Sequence, residues 1–211
     1  MLAYKNAKEV FCMGGELEDS IKVQEEIKDS VLIDDAITAP DETTKRINGH
    51  PLSLHYSDQL FGKKFSDLTF IYRSKNGTRV LDLFGDKKYV FVGGLVNLSA
   101  IKKVLDSMNI DSVTLIPCGS SNGPNADDSI SAEYMKIFLE KGEHDYAKYK
   151  DLMSKITSAR GSGDFFEKYI LSQYGTILGF NICLDLYPVV FQANRDTKYK
   201  NLNLVSLKKH A

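Results

Sequence analysis

The sequence predicts an α/β protein with a mostly parallel sheet, parallel throughout or mixed at an edge, and helices packed on its faces. Three observations carry this. Short apolar runs at Glu9–Met13, Val31–Ile33, Leu68–Tyr72, Tyr89–Val92 and Val113–Pro117 alternate with segments of helical period. Small or polar residues close these runs: Gly14-Gly15, Asp34-Asp35, Asn76-Gly77, Gly93-Gly94 and Cys118-Gly119. The connections between runs are long enough to cross over the sheet and too long for hairpins, which makes neighbouring strands parallel.

The elements follow in order. After the first run, Leu17, Ile21, Val23, Gln24 and Ile27 give one face of a helix, with acidic residues in its first turn where the helix dipole favours them. Residues 36–64 form a long irregular excursion containing His50 and His55; a connection of that length is functional or a solvated surface loop. Thr78–Phe84 predicts a short helix, and Ser99–Met108 another, with Ala100, Ile101, Val104 and Leu105 on its apolar side. Ile130, Tyr134, Ile137 and Phe138 mark an amphipathic helix, and Glu143–Thr157 a more polar one. Ser158–Gly163, a flexible link or an anion-friendly loop, a helix over Phe165–Leu171 broken at Tyr174-Gly175, and a late strand over Asp185–Phe191 complete the chain. We expect one α/β domain over 1–211, with 127–185 its helical C-terminal part.

Composition narrows the function classes. Lys plus Arg number 27 and Asp plus Glu 28, for a net charge of −1. The basic residues form no stripe, which argues against a nucleic-acid or membrane surface and for a small soluble ligand. Cys12, Cys118 and Cys183 are odd in number and far apart, so they read as reduced thiols of a cytoplasmic protein rather than a disulfide framework or zinc site. No run approaches the ~18 apolar residues of a membrane span, and Met1–Val10 lacks the apolar core of a signal peptide.

Three constellations at strand ends could carry chemistry. Asn76-Gly77-Thr78-Arg79 follows a strand and opens a helix. Gly77 permits a sharp turn, first-turn amides point outward, and Thr78 and Arg79 add a hydroxyl and a guanidinium, a set suited to a phosphate, sulfonate or carboxylate. Asn-Gly is equally a common turn dipeptide. Asn97 with Ser99 occupies a second such junction, where an asparagine also serves as a plain helix cap. The third is the loop from Cys118-Gly119 to Asp127-Asp128. It has the spacing of neither a P-loop nor a dinucleotide fingerprint. Its two carboxylates can hold Mg²⁺ through hard oxygens, or simply cap the following helix.

The order of these motifs resembles the 2-phosphosulfolactate phosphatase family. The resemblance rests on Asn76-Gly77-Thr78-Arg79, on Asn97-x-Ser99-Ala100, and on Pro117-Cys118-Gly119 through Asp127-Asp128, where the family ends on Glu-Asp. Asn181-Ile-Cys183-Leu-Asp185 leading to Pro188-Val189 echoes the family's closing pattern. The resemblance implies a Mg²⁺-dependent phosphoric monoester hydrolase of coenzyme M biosynthesis, converting 2-phosphosulfolactate to 3-sulfolactate and phosphate. It would place Asp127 and Asp128 in metal or acid–base work, Arg79 on the developing phosphate charge, and Asn76, Gly77, Thr78, Asn97, Ser99 and Gly119 around the substrate.

The sequence departs from that family at four places. The family's opening strand with Asp-Val-Leu-Arg-Ala-Thr has no counterpart before Ala3-Tyr4, and Asp34-Asp35 stand near its Gly-Glu-Arg segment. Asn48-Gly49-His50-Pro51 replaces Gly-Asn-Ser-Pro, and Asp127 replaces Glu. One well-placed donor at a phosphate site is worth about 3 kcal/mol of transition-state stabilisation, so the departures bear on activity. They leave open a longer gene product, a homo-oligomer in which a second subunit covers the sheet edge, or a relative that binds a phosphorylated or sulfonated metabolite without turning it over.

Overall fold

A computed structural model describes residues 7–34, 66–119, 123, 125–159, 183–199, 202 and 204–210. They fall into two compact units, one within 1–91 and 191–209, the other within 92–190 and 210–211. The strands are β1 (Glu9–Met13), β2 (Ser30–Asp34), β3 (Thr69–Arg73), β4 (Phe91–Val92), β5 (Val190–Arg195) and β6 (Val205–His210). The helices are α1 (Leu17–Glu26), α2 (Gly77–Phe84), α3 (Leu98–Ser107), α4 (Ala126–Lys141) and α5 (Tyr146–Ala159). The sheet is mixed, in the order β2-β3-β1-β6-β5-β4, so the expected α/β class holds.

In the first unit, β1, β2 and β3 run parallel, with Val10 opposite Phe70 and Phe70 opposite Val31. These strands are continuous apolar runs because both of their faces are covered. Phe11, Met13, Leu32 and Ile71 pack with Val23 of α1 and Ile27 at its C-cap, while the alternate residues Val10, Val31, Ile33 and Phe70 form a separate cluster. This two-residue alternation follows directly from strand geometry. The α1 face holds two polar members, Ser20 and Gln24, both buried.

Cys12 is buried with Ala193 and Val205, and burial pushes its thiol up to about 12. Only the thiolate is nucleophilic. We therefore expect native protein at neutral pH to alkylate rapidly at the exposed Cys183 and at Cys12 only after unfolding, as read by peptide mass mapping.

The second unit packs α3, α4 and α5 through Ile101, Tyr134, Met135, Phe138, Leu152 and Ile156. Gly142 ends α4 in the left-handed region, φ +78°, and its amide bonds the Phe138 carbonyl at 2.8 Å, a conformation that glycine takes without a Cβ clash.

Several boundaries differ from the sequence expectation. Val113–Pro117 forms no strand: among the described residues it has no ladder partner, and Val113 and Ile116 are 46% and 45% exposed. An apolar run alone does not specify a strand; a neighbouring edge does. The Tyr89–Val92 run shrinks to Phe91–Val92. The late strand begins at Val190 and continues to Arg195, residues 183–189 being turn and extended chain, so helix does not reach 185. β6 was not anticipated. Its pairing with β1 is antiparallel, Phe11 opposite Ser206, and makes the sheet mixed. The 36–64 excursion with His50 and His55, most of the 158–163 link, the 165–171 helix, Tyr174-Gly175 and Asn181 lie outside the described residues. No helix among the described residues is long and apolar enough to cross a membrane.

Candidate functional site

The parallel strands of the first unit end on a charged rung. Met13 lies opposite Arg73, and Arg73 opposite Asp34. This is the carboxyl edge, where open α/β sheets collect ligands. Asp34 is fully buried and Arg73 nearly so; the Arg73 Nη1 donates to both Asp34 oxygens at 2.8 and 2.9 Å. Ser20 of α1 reaches the same carboxylate at 3.3 Å. Arg73 Nε donates to the Gly15 carbonyl at 2.8 Å, and Gly15 takes φ +91° to present it. Asp34 and Arg73 together brace the turn that follows β1.

The next turn carries the first sequence constellation. Ser74 Oγ accepts the amides of Gly77 at 3.1 Å and Asn76 at 3.3 Å. Thr78 is buried; its Oγ1 accepts the Ser74 amide at 2.9 Å and donates to the Ser74 carbonyl at 2.6 Å. The hydroxyls of Ser74 and Thr78 are thus engaged in shaping the turn, as is the Gly77 amide. Asn76 stands at the N-cap of α2, and its side-chain amide makes no hydrogen bond to a described residue. Arg79 is exposed and pairs with no carboxylate among the described residues.

Asn97, Ser99, Gly119, Asp127 and Asp128 belong to the second unit. Asn97 is fully buried. Its Oδ1 accepts the Gly94 amide at 3.0 Å, and its Nδ2 donates to the carbonyls of Val92 at 3.3 Å and Val189 at 3.0 Å. The amides of Asp185 and Tyr187 add bonds to the carbonyls of Leu95 and Val96, fixing the 185–189 segment beside the turn that precedes α3.

That segment delivers Asp185 to Ser99. Asp185 Oδ1 accepts the Ser99 amide at 2.6 Å, and Oδ2 accepts the Ser99 hydroxyl at 2.5 Å. His144 Nε2 lies 2.7 Å from the same Oδ2, and its Nδ1 lies 3.2 Å from the Tyr134 hydroxyl. Tyr134 is fully buried, and Phe138 and Tyr146 pack on the imidazole at centroid distances of 4.5 and 5.6 Å. Burial alone would raise the Asp185 carboxyl, but the bonds from Ser99 and then His144 outweigh it and hold it below its ordinary range. A lowered carboxyl contributes stability above the unfolded value of about 4, and that contribution disappears as pH falls through the folded value. Asp185→Asn should therefore flatten the acid limb of a urea-midpoint profile below about pH 4.

Asp127 and Asp128 open α4, and Asp128 Oδ2 accepts the buried Gly119 amide at 3.0 Å. Successive side chains on a helix diverge by about 100°, so the two carboxylates face different directions. Among the described residues, no three His, Cys, Asp or Glu side chains cluster closely enough to hold a metal ion. The donor set here fits a cation that takes one carboxylate and completes its shell with water and ligand oxygens, the habit of Mg²⁺.

The comparisons with known proteins bear on what these edges serve. The family model for 2-phosphosulpholactate phosphatase matches residues 2–177. The chain belongs to the 2-phosphosulpholactate phosphatase family. Two curated relatives carry the name "Probable 2-phosphosulfolactate phosphatase". The Clostridium beijerinckii protein is 29% identical over 102 residues, 48% of this chain and 42% of its own length. The Caldanaerobacter subterraneus subsp. tengcongensis protein is 29% identical over 131 residues, 60% of this chain and 49% of its own length. The chain thus spans under half the length of the curated relatives it matches. Within the family match lie Asn76–Arg79, Asn97, Ser99, Gly119, Asp127 and Asp128, as well as Asp34, Arg73, Tyr134 and His144; Asp185 lies beyond it.

Three features of these edges escaped the sequence reading. The Asp34–Arg73 pair was signalled only by a charge closing each of two apolar strands. Ser74, three residues before Gly77, was the mark of a hydroxyl-closed turn. The approach of His144 to Asp185 spans 41 residues and had no local signal.

Proposed function

We propose that the protein is a Mg²⁺-dependent phosphatase hydrolysing 2-phosphosulfolactate, or a closely similar small phosphoester, to 3-sulfolactate and phosphate. The family match over residues 2–177 carries this reading. The α2 edge supports it, because Arg79 is an exposed cation that pairs with no carboxylate among the described residues and Asn76 holds an amide not used by them. In this reading the Arg79 guanidinium binds the anion, and Asn76 orients it. Ser74 and Thr78 keep the turn in shape. Asp127 or Asp128 would hold Mg²⁺, which when bound draws charge from the phosphoryl oxygens. The cytoplasm is the expected compartment, and a homo-oligomer the expected assembly.

The test is phosphate release from 2-phosphosulfolactate. It should require Mg²⁺, stop with chelator, and return when Mg²⁺ is restored. Asp128→Asn should lower kcat on the order of a hundredfold, and Arg79→Ala should chiefly raise KM. Turnover indifferent to chelator removes the metal from the proposal. Heat on titrating 3-sulfolactate, lost in Arg79→Ala, without any turnover would point to a metabolite-binding relative. Neither turnover nor heat would overturn the reading altogether.

A further inference from the structure

The Ser99–Asp185–His144–Tyr134 chain of contacts crosses three separate parts of the second unit: the start of α3, the segment before β5, and α4 with the turn that follows it. Both oxygens of Asp185 are turned on one residue, Ser99, which therefore has its amide and its hydroxyl proton fixed by the same carboxylate. Asp185 itself sits in the left-handed region at φ +52°, a conformation that aspartate takes more readily than most non-glycine residues. His144 contacts its carboxylate, and the ring is in turn fixed by Tyr134 at the other nitrogen and by Phe138 and Tyr146 against its faces. Neither imidazole nitrogen is left to serve a ligand. The ring is a brace.

We propose that His144 is a positioning residue that acts through Asp185 to fix Ser99 as a hydrogen-bond acceptor, so that Ser99 orients a water molecule and not the anion of the substrate. This rests on the phosphatase reading for the water's use. The chemistry follows from the donor inventory. A serine hydroxyl has one proton, and here it is donated to Asp185 Oδ2, so Ser99 Oγ offers only lone pairs to a ligand. A phosphate or sulfonate oxygen needs a donor and would also meet the Asp185 charge. Water supplies a donor.

The experiment uses the full chain and has two arms. His144→Phe keeps an aromatic ring between Phe138 and Tyr146 and removes the donor to Asp185. In ¹⁵N-labelled protein its Ser99 amide proton should move upfield, as the bond to Asp185 lengthens. An unmoved Ser99 amide in folded His144→Phe overturns the proposal; should that variant fail to fold, Asp185→Asn reads the same amide with the same two outcomes. In the kinetic arm, His144→Phe should lower kcat on the order of tenfold to a hundredfold while KM stays within about twofold. In a Ser99→Ala background the same substitution should have no further effect. Losses that add across the two backgrounds, or a fall in kcat/KM carried by KM, overturn it as well. If the unmodified protein does not turn over 2-phosphosulfolactate, the phosphatase reading falls, and the amide shift still decides whether His144 positions Ser99.

Discussion

Asp34→Ala is expected to destabilise the protein by about 3–5 kcal/mol, read as a fall in the urea midpoint at unchanged slope. The reason is the asymmetry of buried charge. Asp34 is 0% and Arg73 3% exposed, and the pair bonds through Nη1 to both carboxylate oxygens. Removing the carboxylate leaves a guanidinium in the sheet interior, with Gly15's carbonyl at 2.8 Å and Glu16 3.9 Å away as its remaining partners. Asp34→Asn should fall in the same direction, because shape is kept and charge is not. Asp34→Leu with Arg73→Met should recover most of the loss, since a buried pair replaced on both sides by apolar groups is often near neutral. That double variant would still lose the brace on Gly15. A folded protein with a displaced β1 turn is therefore the expected product, and failure of the double variant to regain stability would show that the pair is needed for folding itself.

Asn97→Asp is expected to have a comparably large effect. The Asn97 amide donates to two carbonyls, Val92 and Val189, and accepts from the Gly94 amide, all from a fully buried position. A carboxylate in its place turns a negative charge on two carbonyl oxygens. Asn97→Ala leaves the three backbone groups without that partner, each at about 1–3 kcal/mol, so a loss of about 3 kcal/mol or more is expected, and Asn97→Asp should exceed it. Thermal melts of both variants decide the matter. Near-native melts combined with a large rise in KM would instead assign the amide to a ligand.

The parts of this fold that were legible in the sequence are those whose pattern is set by local burial. β1, β2 and β3 announce themselves as unbroken apolar runs because helices and chain cover both of their faces, and α1 and α3 by their periodicity. What was not legible depends on partners distant in sequence. Val113–Pro117 is as apolar as β1 yet has no ladder among the described residues, whereas Val205–His210 carries four polar or basic residues at 206, 208, 209 and 210 and becomes a strand because β1 offers it an edge. The site behaves likewise. The Asn76–Arg79 turn could be read from four adjacent letters. The arginine that braces its neighbour and the histidine that holds Asp185 could not, because each acts across the fold, whereas the Ser74 hydroxyl that closes the turn is a local feature that was overlooked. Asn97 shows the third case: an asparagine at a strand–helix junction reads equally as ligand or scaffold, and its three backbone bonds show how it is used here.

The position of β6 bears on how the sheet assembles. Residues 11 and 206 pair, and β6 stands between β1 and β5 in the sheet. β2, β3 and β1 can associate from residues 9–73 alone, but β1 keeps one bare backbone edge until β6 arrives. Closing so long a loop is slow, and an unpaired edge is a template for another chain's strand. Any state in which β6 is undocked would therefore leave Val10, Phe11 and Cys12 along an open edge, and a short, lysine-bearing strand in the middle of the sheet is what covers it in the native fold.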